Sequence, residues 1–305
     1  MPALHRFTWP LAIANLVANI GIVVTGGAVR LTDSGLGCPT WPRCTEQSYV
    51  PHGALGVHGA IEFGNRMLTW VLAAVAIATF LALWRSDRAR ATRLAAIIAI
   101  GVPAQGVVGG ITVLTDLNPW IVSVHLLLSM AMIGVCVLLL DELRGPARTA
   151  SGRLRGLAWL VFGTTWIVLY LGTVVTGSGP HSGDLDSRRT GLDPQVMSHV
   201  HAAAVYALLA LTLGLVLMAH RQGATLVRNA VGALLVLELA QGLLGFVQYF
   251  TDLPEILVGL HMLGAAVISA AVTWALLSTG ARGPHRAAYP KSSGSSATAT
   301  NSSER

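Results

Sequence analysis

Residues 105–125 read QGVVGGITVLTDLNPWIVSVH, and residues 241–261 read QGLLGFVQYFTDLPEILVGLH. Set 136 positions apart, the two stretches share a Gln-Gly pair, a glycine three residues later, a Thr-Asp-Leu break and a closing histidine. The same offset carries Asn65 onto His201 without a gap. Repetition held in one register over such a span predicts two copies of one helical unit. Each copy delivers a histidine into a long apolar run.

Working outward, the composition says what surrounds the repeat. Of 305 residues, 53% are hydrophobic and only 11% charged; soluble domains average about 25% charged. Apolar runs long enough to span a bilayer, about 20 residues each, recur over 8–29, 57–83, 94–114, 119–140, 157–177, 196–219, 229–250 and 256–278. A backbone in lipid must satisfy its own hydrogen bonds, so these runs are expected to be helices. The predicted fold is all-α: eight transmembrane helices as two pseudo-symmetric four-helix bundles. No cleavable signal peptide is expected, because the first run is too long and lacks a clean small-residue cleavage site.

The net charge of +6 does not call for nucleic acid. Fifteen Lys and Arg fall in the termini and alternate connections, from Arg6 through Arg85, Arg153 and Arg221 to Arg305. Arg30, Arg43, Arg188 and Arg189 fall in the others, and Arg66 lies inside a run. The positive-inside rule then places both termini in the cytoplasm of a plasma-membrane protein.

A second match fixes the unit length. Residues 23–35 read VVTGGAVRLTDSG and residues 174–184 read VVTGSGPHSGD, 151 positions apart. Helices 1–4 and 5–8 thus repeat each other, and the longer first outer loop absorbs the change of offset. Both halves begin on the same side, so the repeat is parallel. The expected domains are 1–145, 146–280 and a low-complexity cytoplasmic tail, 281–305, expected to be disordered. The first outer loop, 30–56, is long and rich in Gly and Pro; long ordered loops often carry function.

Ionisable groups inside a membrane are costly and point to function. His125 and His261 each lie six residues into their helices, about 9 Å below the outer surface. His201 enters to a similar depth on a helix of the same direction. Two histidines facing across a bundle at one level suit the two axial positions of a haem iron. The first half has Asn65 where the second has His201, and asparagine is a poor iron ligand. His125 therefore stands as the deep ligand of that half. His58, two turns above Asn65, is an alternative ligand or a loop-end residue. His199 must point away from His201.

Glu62, in HGAIEFGNR, shares a helix face with His58 and Asn65. It reads as a desolvated carboxylate beside a reactive centre, or as one end of an ion pair with Arg66 four residues on. The second half has Ser198 there. One half thus holds two histidines and no acid; the other holds an acid and one deep histidine. Arg30 and His181 close the two VVTG segments and are candidates for holding acidic ligand groups such as haem propionates, as is Arg66. Cys38 and Cys44, in CPTWPRC, lie outside in an oxidising setting and can form a disulfide, structural or redox-active. Cys136 reads as a small buried hydrophobe. Glu238 and Gln241 suggest buried hydrogen bonds between helices.

The chain resembles the haem A synthase family. The resemblance rests on eight helices in two repeats, DSGLGCPTWPRC in the first outer loop, IEFGNR on helix 2, and His on helices 4, 6 and 8. It implies an oxidoreductase that converts the C8 methyl of haem O to a formyl group, giving haem A for terminal oxidases. It implies a haem b cofactor between His201 and His261, with substrate haem O in the first half near Glu62, His125, Asn65 and His58. It implies a Cys38–Cys44 pair that passes or accepts electrons. Haem O synthase and oxidase assembly factors are the implied partners, and a homo-oligomer stays open. Asn65 departs from the family, many of whose members have histidine there. The competing readings are a di-haem b-type electron-transfer cytochrome, a haem carrier without turnover, and a transporter with a site between repeats.

Overall fold

A computed structural model describes residues 7–145 and 152–280. Residues 281–305, expected to be disordered, and 146–151, at the expected domain boundary, lie outside the described residues. Among the described residues the regular structure is helical throughout: α1 (Thr8–Leu31), α2 (Gly56–Leu83), α3 (Ala89–Leu114), α4 (Pro119–Arg144), α5 (Gly152–Ser178), α6 (Pro194–Arg221), α7 (Thr225–Phe250) and α8 (Glu255–Ser278), with one 3-10 turn at Gly53–Leu55. All eight are long and apolar enough to cross a membrane. At 1.5 Å per residue, spans of 24 to 28 residues reach about 36–42 Å, more than a ~30 Å hydrocarbon core. Most helices run past the expected apolar runs, into turns bearing Arg90, Arg93, Arg144, Arg153 and Arg221. Hydropathy marks the lipid core, whereas hydrogen bonding carries the helix on into the interface.

The sequence dictates where two connections turn. Asn118 and Asp193 cap α4 and α6 by accepting from Trp120 N–H and Val196 N–H, each with proline at the first helical position. In both Thr-Asp-Leu breaks the Asp and Leu adopt left-handed backbone: Asp116 and Leu117 at φ 50° and 54°, Asp252 and Leu253 at 58° and 57°. Leu117 N–H then donates to Thr112 O and Leu253 N–H to Gln248 O, the same bond 136 residues apart.

Three buried clusters hold the helices. One joins α1–α4 around Ala76, Leu83, Ile98 and Leu139. A second joins α5–α8 around Val161, Leu215, Leu234 and Val272. A third, with Val23, Met130, Ile133 and Ala266, lies where α1, α4 and α8 meet. Small residues allow the close approach that membrane helices use: Ala12, Ala76, Ala91 and Ala95 are fully buried. Several buried polar groups bond across helices. Asn15 pairs with Thr79, and Ser269 Oγ donates to Met130 O at 2.9 Å, tying α8 to α4. Trp70, Ile100, Leu160 and Phe250 project outward, as a lipid-facing surface requires.

Candidate functional site

Three histidines share one setting. Gln105 Nε2 donates to His125 O at 3.1 Å, and Gln241 Nε2 donates to His261 O at 2.6 Å. Each glutamine thus fixes the histidine-bearing turn of the next helix. Each ring lies on a glycine: the Cε1 atoms of His125, His201 and His261 sit 3.3, 3.3 and 3.4 Å from where a β-carbon would stand on Gly109, Gly172 and Gly245. Nδ1 of His125 and of His261 is buried without a hydrogen-bond partner, while the His201 ring has the Val168 backbone within reach. Buried ring nitrogens are normally satisfied, so orphans need a reason. His201 and His261 are also close enough to interact electrostatically.

The first half is built differently at its other wall. Asn65, in the place of His201, accepts a hydrogen bond on Oδ1 from Thr25 Oγ1 at 2.8 Å. Glu62 is 5% exposed and is fully engaged. Its Oε1 takes Arg66 Nη2 at 2.6 Å and Nε at 3.1 Å; its Oε2 takes Cys38 N–H at 2.5 Å. Arg66 also donates to Cys38 O, Thr40 O and Arg43 O. The expected ion pair is therefore present, and it has a further purpose: it fastens the 30–56 loop to α2. With its donors turned to Glu62 and the loop, Arg66 is not placed to hold a propionate.

That loop is a lid. Cys38 and Cys44 form a disulfide, both sulfurs fully buried. Gly35 N–H donates to Gly183 O at 2.8 Å, and the place of a Gly37 β-carbon lies 2.3 Å from His58 O, so a side chain at Gly37 is shut out. Trp41 lies over Gly110, its ring 2.3 Å from where a β-carbon would stand. Gly110 adjoins Gly109, which carries His125, so the lid reaches the first histidine. The equivalent of Gly110 is Phe246, which is exposed.

The remaining candidates fall outside these walls. His58, in the first turn of α2, is exposed and its Nδ1 meets Ser34 Oγ at 3.0 Å, so it is tied to the loop and not turned to the interior. Arg30 donates from Nε to His181 O and from Nη2 to Thr176 O, joining α1 to the α5–α6 connection. His181 Nε2 meets Leu253 O at 3.0 Å. His199 is exposed against Tyr249. Cys136 is buried, with Asn19 Nδ2 at 3.6 Å. Glu238 accepts from Thr212 Oγ1 at 3.1 Å, the expected bond between helices. Sequence reasoning missed Trp41, Thr25 and Gly172; it marked the repeated Gly109 and Gly245 but not the rings they carry. The repeated Gln-Gly and the glycine three residues on were the available signal.

Comparison with known proteins bears on this arrangement. Residues 10–180 match the COX15-CtaA family, described as cytochrome oxidase assembly protein. A protein named "Heme A synthase" from Bradyrhizobium sp. (strain ORS 278) is 30% identical over 92% of this chain and 92% of its own. The chain belongs to the haem A synthase family. Another "Heme A synthase", from Geobacillus thermodenitrificans, is 34% identical over 43% of this chain and 42% of its own. One from Maricaulis maris is 26% identical over 56% and 60%. Family membership and eight spanning helices make this an integral membrane protein.

Proposed function

We propose that the protein is a haem A synthase, an oxidoreductase that converts the C8 methyl of haem O to a formyl group. The observation that carries this reading is the contrast between the halves. His201 and His261 are two imidazoles near enough to feel each other's charge, each laid on a glycine, and Nδ1 of His261 has no partner. A bare metal ion usually takes four or more ligands. Among the described residues no three His, Cys, Asp or Glu gather as a metal site. Two nitrogens without further ligands suit an iron already held by a porphyrin, and the residues present fit haem b.

When bound, that haem supplies one-electron redox chemistry. The rest falls to the chain. His125 holds substrate haem O from one side, and its farnesyl tail extends into lipid. With water as the oxygen source, the methyl carbon takes one oxygen and gives up two electrons and two protons to become an alcohol, then does so again to become an aldehyde hydrate, which sheds water; the four electrons leave the protein to an external acceptor. Glu62, close under the lid, stabilises positive charge at the reacting carbon or takes its proton. Its engagement with Arg66 favours the first role. The lid of residues 30–56 excludes bulk water from above, and its disulfide accepts or relays electrons. Residues 1–145 form the substrate unit and 146–280 the cofactor unit, with both termini cytoplasmic by the positive-inside rule. Haem O synthase would supply the substrate and oxidase assembly factors would receive the product.

The test is co-expression with a haem O source, followed by pigment extraction and mass determination. Wild type should yield a haem heavier than haem O by one oxygen less two hydrogens. Glu62→Ala should keep its bound haems and lose that product. Equal product from Glu62→Ala and wild type would remove Glu62 from the reaction. No product from wild type would leave a carrier or relay.

A further inference from the structure

Asn65 stands where the second half has a histidine, and its surroundings have changed with it. In the second half His201 covers Gly172, and the neighbouring Thr176 hydroxyl turns back to Gly172 O at 2.8 Å. In the first half the matching residues are Gly21 and Thr25, 151 positions earlier. Nothing lies within 4 Å of a β-carbon position on Gly21, and Thr25 Oγ1, which also faces Ile22 O at 3.3 Å, donates over the shorter distance to Asn65 Oδ1 at 2.8 Å. The wall that a histidine ring fills in one half is thus open in the other. The hydroxyl on Oδ1 sets the amide so that Nδ2, a donor, is the free end; no hydrogen bond within the described residues engages it.

No other residue moves in to replace the lost ligand. His58 is exposed and held by Ser34. Glu62 is held by Arg66 and Cys38 N–H.

We propose that Asn65 acts as a hydrogen-bond donor and not as an iron ligand. His125 alone holds the substrate haem, and the opposite side is open to a small ligand bearing a hydrogen-bond acceptor, such as water or a diatomic gas. This rests on the two-pocket reading given above. An amide that neither binds iron nor loses its proton can orient such a ligand, which an axial histidine would exclude.

The full-length protein, purified after co-expression with a haem O source, is assayed for haem per chain and then reduced and exposed to carbon monoxide. Two haems per chain are expected, one shifting its Soret band with carbon monoxide. Asn65→His should abolish that shift and convert the site to a low-spin, two-histidine spectrum. Asn65→Leu should keep carbon monoxide binding, weaken it about three- to tenfold by removing one hydrogen bond, and raise the C–O stretching frequency. Two haems with no carbon monoxide response would overturn this inference and leave the two-pocket reading standing. One haem per chain would overturn both. Binding unchanged in Asn65→His, or a C–O stretch unchanged in Asn65→Leu, would also overturn it, and the leucine variant decides alone if the histidine variant does not fold.

Discussion

Arg66→Leu should loosen the lid, and the disulfide reports it. The sulfurs of Cys38 and Cys44 are fully buried, so a reductant reaches them only when the loop opens. The Arg66 guanidinium holds three loop carbonyls, at Cys38, Thr40 and Arg43, and both its Nε and Nη2 hold Glu62 Oε1. Leucine removes all of these and leaves the Glu62 carboxylate buried with only the Cys38 N–H. Removing one partner of a buried pair costs about 3–5 kcal/mol. The Arg66 side chain is 18% exposed, so the lower end applies. At 1.4 kcal/mol per tenfold, about 3 kcal/mol makes opening roughly 100-fold more frequent.

The assay is the rate of reduction by a water-soluble phosphine, read by maleimide mass-tagging of Cys38 and Cys44. Where reclosing outpaces reduction, that rate follows the opening equilibrium. Arg66→Leu should therefore reduce about 100-fold faster than wild type. The double variant Glu62→Gln with Arg66→Leu removes the stranded charge and should recover about tenfold of the difference. Arg90→Leu, which breaks a pair with Glu142 remote from the loop, should not change the rate. Arg66→Leu reducing at the wild-type rate would refute the clamp.

Three further outcomes follow from the same contacts. Gly172→Val or Gly245→Val pushes into His201 or His261, already 3.3–3.4 Å from a β-carbon position, so either should lose one haem per chain by pigment assay while the other pocket stays loaded. Gly264→Ala meets Gln241 Oε1 at 1.9 Å and must break the bond to His261 O; a detergent melt should fall and the low-spin haem spectrum should broaden. Glu238→Met together with Thr212→Val should raise the melting temperature, because the pair is removed whole and with it Oε2 of Glu238, buried without a partner, a group that costs about 1–3 kcal/mol.

The sequence carried the fold because two periodic signals agreed: apolar length, which gives helices, and the 136-residue offset, which gives matching turns. It carried the histidines because ionisable groups stand out against lipid-facing residues. It could not carry the lid. Cys38, Trp41 and Arg43 meet α2 and α3 across tens of residues, and no periodicity links a loop to the helix it covers. Nor could it resolve Arg66 between an ion pair and a propionate contact, since i,i+4 spacing permits the pair without showing where the other donors go. Arg30 is similar: its partners, Thr176 O and His181 O, lie 146 and 151 residues away and are backbone atoms, invisible to any reading of side-chain types.

The differences between the halves fall on one side of the histidine scaffold. The supports recur at one offset: Gln105 with Gln241, Gly109 with Gly245, and the Leu117 and Leu253 turns. What changed is what approaches those supports. Gly110 admits Trp41 where Phe246 projects outward; Glu62 takes Cys38 N–H where Ser198 bonds its own helix at Pro194 O. Restoring bulk at Gly110 is therefore the sharpest separation of the two pockets. Gly110→Phe makes the first half resemble the second and must expel Trp41, since even a β-carbon would stand 2.3 Å from its ring. The half-buried indole should move into lipid or water, with faster reduction of Cys38–Cys44 and no change in the haem proposed to lie between His201 and His261. A coupled loss of both haems would mean that the pockets share their stability and that the lid serves the whole bundle, contrary to the division argued from Glu62 and Asn65.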